Sequence, residues 1–491
     1  MFKNFVKRIL DVARPLPDGS KRAPAKSVAT AKSATNSATN SSAKFGNKAA
    51  SKKAKPAFVT YPAAAHGIAL DSLSRGAVIT ARTLQEAGFQ AFIVGGAVRD
   101  LLLGLKPKDF DVATNATPDQ VLKCFRRARS IGKRFRIIHV MYGAETVEVS
   151  TFRAPSDERV ETDEEGRVLR DNVWGNQQQD AERRDFTVNA LFYDPVANTV
   201  IDYHNGVADL KAKTLRMIGD PATRYREDPV RMLRATRFAA KLGFTIEPNT
   251  RAPIKELAPL LGNIPPARLF DETLKMLLSG HAVATVQVLR AEELHHGLLP
   301  LLDVILEQPL GEKFVMLALA RTDERLQMGK GVSPGFLFAT LLWHEVLLGW
   351  QKKKARGEHA MPALFEAMDD VIDQQGSKLA ITRRYSGDMK EIWALQARFE
   401  RRNGRFAFKL LEHPRFRAAY DFLLLRCESG EVEASLGDWW TTFIDADGTA
   451  REAMVKGLTP TPNAGKRKRV RGKKSSNDEP HTAQMTVSPD P

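Results

Sequence analysis

The spacing of apolar and polar residues predicts a region of mixed strands and helices followed by a long helical region. Residues 71–89 have a helical period that ends at Gly88, and the continuous apolar run at 91–94 is typical of a short buried strand. RIIHVMYG and ETVEVSTF alternate as two paired strands, and the period after residue 227 is helical almost throughout, to about residue 445. The predicted fold class is therefore α+β, a mixed sheet with helices and then an all-α remainder.

The connecting segments add further elements. VRDLLLGL is predicted as a helix and KDFDVAT as a strand, while Thr117 and Pro118 have the residue types of a helix start. Residues 154–183 are acidic and polar without a regular period, which predicts a mobile loop.

The N-terminal end differs from the rest of the chain. Residues 14–60 are mostly Ala, Ser, Lys, Asn and Thr and cannot bury enough surface to offset their ordering entropy, so we expect them to be disordered. Residues 1–13 place apolar side chains opposite Lys3, Lys7 and Arg8, as in a short basic amphipathic helix. Such a helix suits a membrane surface, a partner, or simple docking on the fold.

All of the net charge lies at the two ends. The 491 residues carry a formal net charge of +16. Residues 1–60 hold 13 Lys and Arg against two acidic residues, residues 456–491 hold eight against three, and the stretch between them is formally neutral. A basic tail either keeps a protein soluble or binds a polyanion, in which case counterions of the polyanion are released. Charge alone leaves both interpretations open.

Cysteine content and hydropathy narrow the class of protein. Cys124 and Cys427 are the only cysteines, which excludes a disulfide scaffold and a thiolate-rich zinc site and predicts a reducing, cytoplasmic environment. The most apolar stretch, residues 335–350, contains His344 and Glu345 and is too short and too polar to span a bilayer.

Two motifs in the mixed region favour metal-dependent phosphate chemistry. Asp109 and Asp111 are at positions i and i+2 of a predicted strand, so both carboxylates should face one site. Close carboxylates repel unless a cation lies between them, and Mg²⁺ commonly combines one or two carboxylates with substrate phosphates. Gly95 and Gly96 end the preceding strand, where the missing Cβ leaves backbone N–H groups open to a phosphate. Either motif alone is often a turn, but their combination favours a nucleotide site.

A third acid is expected from a neighbouring strand, and two residues qualify. Glu148 is flanked by valines and should face away from them, although by itself it is equally a solvated acid on an outer face. Asp185 follows Arg183 and Arg184, which can bind a triphosphate or pair with the acidic loop. The residues leave the choice between Glu148 and Asp185 open.

A predicted helix start supplies a second constellation. Asp228 and Pro229 are a cap and a first-turn proline, and Arg231 lies on the same helix face as Asp228. A carboxylate acceptor beside a planar donor fork can read the edge of a nucleobase, and Arg234 and Arg237 continue the stripe. The alternative is a solvated helix with an intrahelical ion pair.

The order of the motifs is more informative than any one of them. VGGAVRD at 94–100, DFD at 109–111, RRDFTVNA at 183–190 and EDPVR at 227–231 follow one another along the chain. In this order they resemble the class II nucleotidyltransferases, the family of bacterial poly(A) polymerases and of bacterial or eukaryotic CCA-adding enzymes. The resemblance extends over about residues 90–280.

The resemblance implies a role for each matching residue. Asp109 and Asp111 are similar to the catalytic pair that binds two Mg²⁺ ions, Glu148 matches the third metal-binding carboxylate, and Asp185 is a further catalytic candidate. Asp228 and Arg231 resemble the amino-acid template that recognises the base. The implied nucleotide-binding residues are Gly95, Gly96, Arg99, Arg184, Asp228, Arg231, Arg234 and Arg237.

The resemblance also implies a domain organisation with two basic ends. The implied regions are a basic, mostly disordered N-terminal extension at 1–64, a nucleotidyltransferase head with a mixed sheet at 65–218, a helical nucleotide- and RNA-binding neck at 219–285, a helical RNA-binding body at 286–455 and a basic disordered tail at 456–491.

Three further segments favour the polymerase branch of the family. IGKRFRIIHV at 131–140 and LEHPRFRAAYD at 411–421 are similar to bacterial poly(A) polymerases, and KRKR at 466–469 suits an enzyme that holds many RNA 3′ ends. No His-Asp dipeptide occurs, so the phosphohydrolase domain of some CCA-adding enzymes is not expected.

The expected activity is template-independent addition of poly(A) to RNA 3′ ends, both of mRNA and of decay intermediates, with ATP as substrate and Mg²⁺ as cofactor. The alternatives are a tRNA CCA-adding enzyme and a non-catalytic RNA-binding adaptor. RNA-decay or RNA-chaperone proteins are candidate partners of the basic tails, and membrane contact by residues 1–13 is left open.

One stretch of the implied body combines bases with aromatic rings. Between Arg398 and Phe408, arginines alternate with phenylalanines, which suits phosphate contact and base stacking. The alternative is an amphipathic helix with its phenylalanines in the core, and that is the better interpretation for Phe399.

Deleting residues 1–60 and 460–491 should weaken RNA binding at physiological salt and flatten its dependence on salt, because the tails carry the net positive charge. Binding isotherms of the full and the shortened chain across a salt series measure this. Identical slopes would show that the tails take no part in RNA binding.

Overall fold

A computed structural model describes residues 58–132, 136–154, 173–294, 309–376 and 379–457. The predicted N-terminal amphipathic helix, the Ala/Ser/Lys-rich arm, most of the predicted acidic loop and the basic C-terminal tail lie outside the described residues.

Within the described residues, one eight-stranded mixed sheet forms the centre of the N-terminal region. Its strands are β1 (Val59–Pro62), β2 (Ala91–Val94), β3 (Asp111–Thr114), β4 (Ala128–Ile131), β5 (Ile137–Tyr142), β6 (Glu145–Thr151), β7 (Leu191–Asp194) and β8 (Thr199–Asp202). Their spatial order is β1-β8-β7-β2-β3-β6-β5-β4. Neighbours are antiparallel, apart from β3 and β6, which run parallel.

Short helices connect and cover the strands, and the helix start predicted at Thr117 and Pro118 is observed. Ser74 caps the second helix, and Thr117 and Gln120 form a reciprocal capping box at the fourth. The helices are α1 (Ala63–His66), α2 (Arg75–Glu86), α3 (Gly96–Leu102), α4 (Pro118–Cys124), α5 (Gln177–Glu182) and α6 (Gly206–Lys211).

The rest of the described chain is helical, as its period predicts, except for a short parallel pair of β9 (Thr214–Leu215) and β10 (Thr245–Ile246). The helices are α7 (Pro221–Glu227), α8 (Val230–Leu242), α9 (Pro248–Arg251), α10 (Ile254–Leu257), α11 (Pro266–Leu277), α12 (Ala282–Ala291), α13 (Pro309–Gln327), α14 (Pro334–Ala355), α15 (Ala360–Gly376), α16 (Arg383–Phe399), α17 (Arg405–Leu411), α18 (Phe416–Ser429), α19 (Ala434–Asp445) and α20 (Gly448–Lys456).

Three details differ from the sequence predictions. Strand β1 lies inside the range 1–64 because it pairs with β8 at the sheet edge. Helix α5 forms within the predicted loop because Asn176 caps it in a second capping box. Strand β3 begins at Asp111, opposite the last residue of β2, so Asp109 precedes the strand and strand alternation does not orient it.

Both faces of the sheet are buried at β2, which accounts for the continuous apolar run of this strand. Ile93 and Val112 pack with the large core that includes α2 and α3. Phe92, Phe152 and Phe192 form an aromatic cluster on the opposite face, with ring centroids 6.1–6.4 Å apart. In the part of the chain described, no helix is long and apolar enough to cross a membrane, and both cysteines are unpaired.

Replacing Gly206 with alanine should lower the free energy of unfolding by about 1–3 kcal/mol. The added Cβ would lie 2.3 Å from the backbone oxygen of Thr187, so the start of α6 would have to move away from the turn that contains Thr187. Gly262→Ala is the control because a Cβ there meets nothing within 4 Å. Chemical denaturation compares the two variants, and equal losses would exclude the close contact as the cause.

Candidate active site

A cavity of about 920 Å³ lies between the sheet and helices α8 and α11. Eleven of the twelve predicted site residues line it, and Glu148 does not. The lining predicted residues are Gly95, Gly96, Arg99, Asp109, Asp111, Arg184, Asp185, Asp228, Arg231, Arg234 and Arg237.

A sharp turn from β2 into α3 forms one wall of the cavity. Gly95 has φ 72° and ψ −130°, a conformation that side chains rarely adopt, and a Cβ there would lie 3.2 Å from Nη1 of Arg184. Helix α3 starts at the next residue, so its first-turn N–H groups, which have no partner within the helix, lie at the cavity wall. This backbone is available to an anion, as the glycine pair predicts.

The acidic side of the cavity lies at the start of β3. Asp111 is the register partner of Glu148 in the parallel pair β3–β6, so the two carboxylates project from neighbouring strands. Asp111 is open to the cavity but surrounded by protein. Burial first, and then the negative charges of Glu148 and Asp109, raise its pKa to about 6, while Arg184 opposes the shift.

Glu148 does not line the cavity, although its charge acts on Asp111. Its side chain is 51% exposed, and its Oε1 lies 3.4 Å from Nε2 of His139, its register partner on β5. Among the described residues, no group of three His, Cys, Asp or Glu side chains is arranged to hold a metal ion. The role of Glu148 as a third metal ligand therefore stays a prediction.

Asp185 is buried and fully hydrogen-bonded. Its Oδ1 accepts from the backbone N–H of Phe186 (2.8 Å) and from Nδ2 of Asn189 (3.0 Å), and its Oδ2 accepts from Nε (2.8 Å) and Nη2 (2.6 Å) of Arg234. Burial alone would raise the pKa of Asp185, but Arg234 and these hydrogen bonds outweigh it and lower the pKa to about 2. Asp185 is thus a permanent anion that joins the sheet region to α8, and its catalytic role stays a prediction.

The predicted arginines are held in place by acids. Arg184 donates to Oδ2 of Asp180 from both Nε (3.2 Å) and Nη2 (2.9 Å), and Arg237 donates to Oε1 of Glu272 at 2.7 Å. Arg99 is 3% exposed and is bound to Asp100 and to Oδ1 of Asn189. Their partners fix their directions, so these cations are positioned before any ligand arrives.

One phenylalanine organises three of these guanidinium groups. The ring of Phe238 lies 5.1 Å from the guanidinium carbon of Arg99, 5.3 Å from that of Arg234 and 4.3 Å from that of Arg237. Such contacts with an aromatic face partly offset the repulsion among close cations. Phe238 is 6% exposed and packs edge-to-face on Phe186.

The predicted base-reading pair does not form an intrahelical ion pair. Oδ2 of Asp228 accepts from Nη2 of Arg268 at 2.6 Å, and Nη1 of Arg231 donates to Oε2 of Glu227 at 2.9 Å and to the backbone oxygen of Arg224 at 2.7 Å. Asp228 precedes α8 and accepts from the N–H of Val230. The hydrogen bonds that the structure shows for Arg231 all use Nη1.

Several cavity residues were not predicted. Asn189 lies in the RRDFTVNA motif, and Lys241 continues the period of the arginine stripe, so both carried a local signal. Arg268, Glu272 and Lys275 lie on α11 without any recognisable motif, and only the packing of α11 beside α8 brings them to the cavity.

This combination of an acidic strand start, a glycine turn and an arginine-lined helix indicates the class of nucleotidyltransferases. The crystal structure of the Bacillus stearothermophilus CCA-adding enzyme in complex with CTP is similar, with a TM-score of 0.51 and 24% sequence identity over 77% of this chain and 82% of that one. At this identity the likeness concerns the fold, and it confirms the predicted head and helical remainder.

Comparison with known sequences gives the particular family. Poly(A) polymerase I of Salmonella typhi is 44% identical over 434 residues, which is 86% of this chain and 93% of that protein. Poly(A) polymerase I of Haemophilus influenzae is 46% identical over 407 residues, or 80% and 90% of the two chains. Matching family descriptions are "Poly A polymerase head domain" at 91–216, "Probable RNA and SrmB- binding site of polymerase A" at 243–306 and "Polymerase A arginine-rich C-terminus" at 356–475.

The chain therefore belongs to the bacterial poly(A) polymerase I family, whose members are polynucleotide adenylyltransferases. This membership confirms the polymerase branch that the segments at 131–140 and 411–421 favoured.

Arg234→Met should lower the free energy of unfolding at pH 7 by roughly 3–5 kcal/mol, because it leaves Asp185 buried without its cation. Since the folded pKa of Asp185 is about 2, against an ordinary 3.8, its charge stabilises the fold above about pH 4 and that contribution is lost as the pH falls toward 2. The difference between wild type and variant should therefore shrink below about pH 4.

Denaturant unfolding at several pH values measures both effects. Arg417→Met is the matched control because Arg417 is 76% exposed, and it should change the unfolding free energy by less than about 0.5 kcal/mol. A loss for Arg234→Met that equals the control, or that does not change with pH, would contradict the assigned role of the buried pair.

Proposed function

We propose that the protein adds adenylate from ATP to RNA 3′ ends without a nucleic-acid template, using Mg²⁺, on mRNA and on decay intermediates. The observation that supports this most is the opposition, across one cavity, of the Asp109–Asp111 pair and the arginine-bearing helix α8. Membership of the poly(A) polymerase I family supports adenylate as the transferred group.

The acidic side of the cavity fits a divalent cation. Burial, and after it the negative charges of Glu148 and Asp109, raise the pKa of Asp111, and a bound Mg²⁺ would offset the repulsion among these carboxylates. Because Mg²⁺ is usually held by one or two carboxylates and substrate phosphates, a preformed cage of three ligands is not required. Asp109 and Asp111 would hold it, with Glu148 as a further ligand. When bound, Mg²⁺ supplies charge stabilisation for phosphates and activation of a hydroxyl.

The opposite side of the cavity fits a triphosphate. The side chains of Arg184 and Arg234 are 20% and 30% exposed. Ion pairs with Asp180 and Asp185 fix their orientation. The turn at Gly95 and Gly96 brings backbone N–H groups to the same space. These groups would bind and orient the phosphates, which places the α-phosphate near Asp109 and Asp111.

Base selection is assigned to Asp228 and Arg231. The Asp228 carboxylate accepts from the exocyclic amine of adenine and Arg231 donates to a ring nitrogen. Arg268 and Glu227 hold the two side chains from outside the pair. A rigid acceptor–donor pair favours a single nucleotide, which suits a homopolymer product.

In the reaction, the oxygen of the RNA 3′-hydroxyl bonds to the α-phosphorus of ATP, the bond to the bridging β-phosphate oxygen breaks, and pyrophosphate leaves. The hydroxyl proton passes to a base at the acidic side. Asp185 is not free for this role, because Arg234 occupies its carboxylate, and it positions α8 instead.

Incubation with a generic RNA, Mg²⁺ and one nucleoside triphosphate at a time tests the function. We expect long products from ATP alone. Addition of C from CTP followed by a stop after A would favour tRNA CCA addition, and absence of pyrophosphate release would favour a non-catalytic RNA-binding adaptor.

Asp109→Ala and Asp111→Ala should each reduce adenylate incorporation by roughly 1000-fold or more, since several kcal/mol of charge stabilisation is lost. Asp119→Asn is the control, because Asp119 is 70% exposed on α4 and outside the cavity. Turnover retained in either alanine variant, with an unchanged circular dichroism spectrum, would refute the assignment of the pair.

A further inference from the structure

The body contains a second basic cavity that the proposed chemistry does not use. The ends of α14 and α16, the start of α15 and helix α17 surround a space of about 580 Å³. A neighbouring space of about 290 Å³ shares Phe406 and Lys409 with it. We call these two spaces the body groove.

The body groove exposes an aromatic ring. Phe406 is 57% exposed, more than any other Phe, Tyr or Trp among the described residues. Its neighbours in sequence behave as core residues, since Phe399 is fully buried and Phe408 packs on Phe443 at 5.4 Å. Phe399 is therefore a core residue, as the sequence suggested. Phe406 is not, because its ring borders both spaces of the groove.

The cations of the groove have no acidic partners among the residues that the structure describes. Arg398, Arg401, Arg405 and Lys409 are all exposed, and no carboxylate among the described residues lies within 4 Å of their charged groups. Glu400 is the acidic residue that lines the groove. In contrast, Arg184, Arg231, Arg234 and Arg237 of the active-site cavity are each paired with an acid. The groove therefore has positive charge that is still available to a polyanion.

Ring and cations are close enough to act together. The guanidinium carbon of Arg401 lies 6.0 Å from the centre of the Phe406 ring, and Lys409 follows one turn after Phe406 on α17. Exposed rings beside basic side chains bind single-stranded nucleic acid, because every base offers a face for stacking and every nucleotide a phosphate.

We propose that the body groove binds a single-stranded segment of RNA upstream of the 3′ end, with a base stacked on Phe406 and phosphates on Arg401 and Lys409. This inference rests on the proposed function, which makes RNA the substrate. The groove is formed by elements other than those of the active-site cavity, so it contributes affinity and not chemistry. Binding of an acidic protein would need only the cations of the groove, whereas binding of RNA with a stacked base also needs the Phe406 ring.

Anisotropy of a labelled single-stranded oligo(A), with the full chain and without ATP or Mg²⁺, tests the groove. Phe406→Leu, which keeps apolar volume but removes the ring, should weaken binding by roughly 5- to 100-fold. Phe406→Trp should retain wild-type affinity. Arg401→Gln combined with Lys409→Gln should reduce the salt slope by about 1.4, and the exposed control Arg417→Gln should leave it unchanged.

The outcomes separate the groove from the chemistry. If the wild type adds adenylate but Phe406→Leu binds oligo(A) as tightly as wild type, the groove assignment is overturned and the proposed function stands. If Phe406→Leu loses affinity but the wild type makes no product from ATP, the groove stands as an RNA site and the proposed function fails. For an active enzyme, the loss should appear in the KM for RNA, with kcat at saturating RNA unchanged.

Discussion

The relative placement of the two sides of the active site depends on one buried ion pair. Asp185 follows Arg183 and Arg184 after helix α5, and Arg234 lies on α8, with its Nη2 2.6 Å from Oδ2 of Asp185. Separating them would leave a charge in a low-dielectric interior, which is among the most costly single changes in a fold. Arg224 reinforces the junction by donating to the backbone oxygens of Arg183 and Arg184. The acidic strand start and the arginine stripe are therefore held facing each other.

Charge is balanced in one part of the cavity and unbalanced in another. The arginines have acidic partners, and three of them also share the ring of Phe238, so they are oriented before a ligand arrives. Burial and the nearby charges of Glu148 and Asp109 instead raise the pKa of Asp111 to about 6. This imbalance marks the place where a cation is most strongly favoured. The body groove has the opposite imbalance, because its cations have no acidic partners in the described part of the chain, and it is suited to phosphates.

Local signals predicted the elements that carry the site but not every boundary. The helix start at Thr117 and Pro118 and the apolar run of β2 were recognisable because they depend on neighbours in the sequence. Asp109 was placed in a strand, whereas β3 begins at Asp111 because its antiparallel partner ends at the opposite residue. Helix α5 was missed because its acidic and polar composition also suits a loop.

The sequence by itself determined which residues can do chemistry here, because side-chain type, local spacing and motif order are properties of short segments. It identified the Asp109–Asp111 pair, the glycine turn, the arginine stripe and the family they resemble. Only the tertiary structure decided which acidic side chain pairs with which basic one. Ion pairs and pKa values depend on burial and on contacts between segments far apart in the chain. Three features were found only in this way: the ion pair of Arg268 with Asp228, the ion pair of Glu272 with Arg237, and the exposure of Phe406.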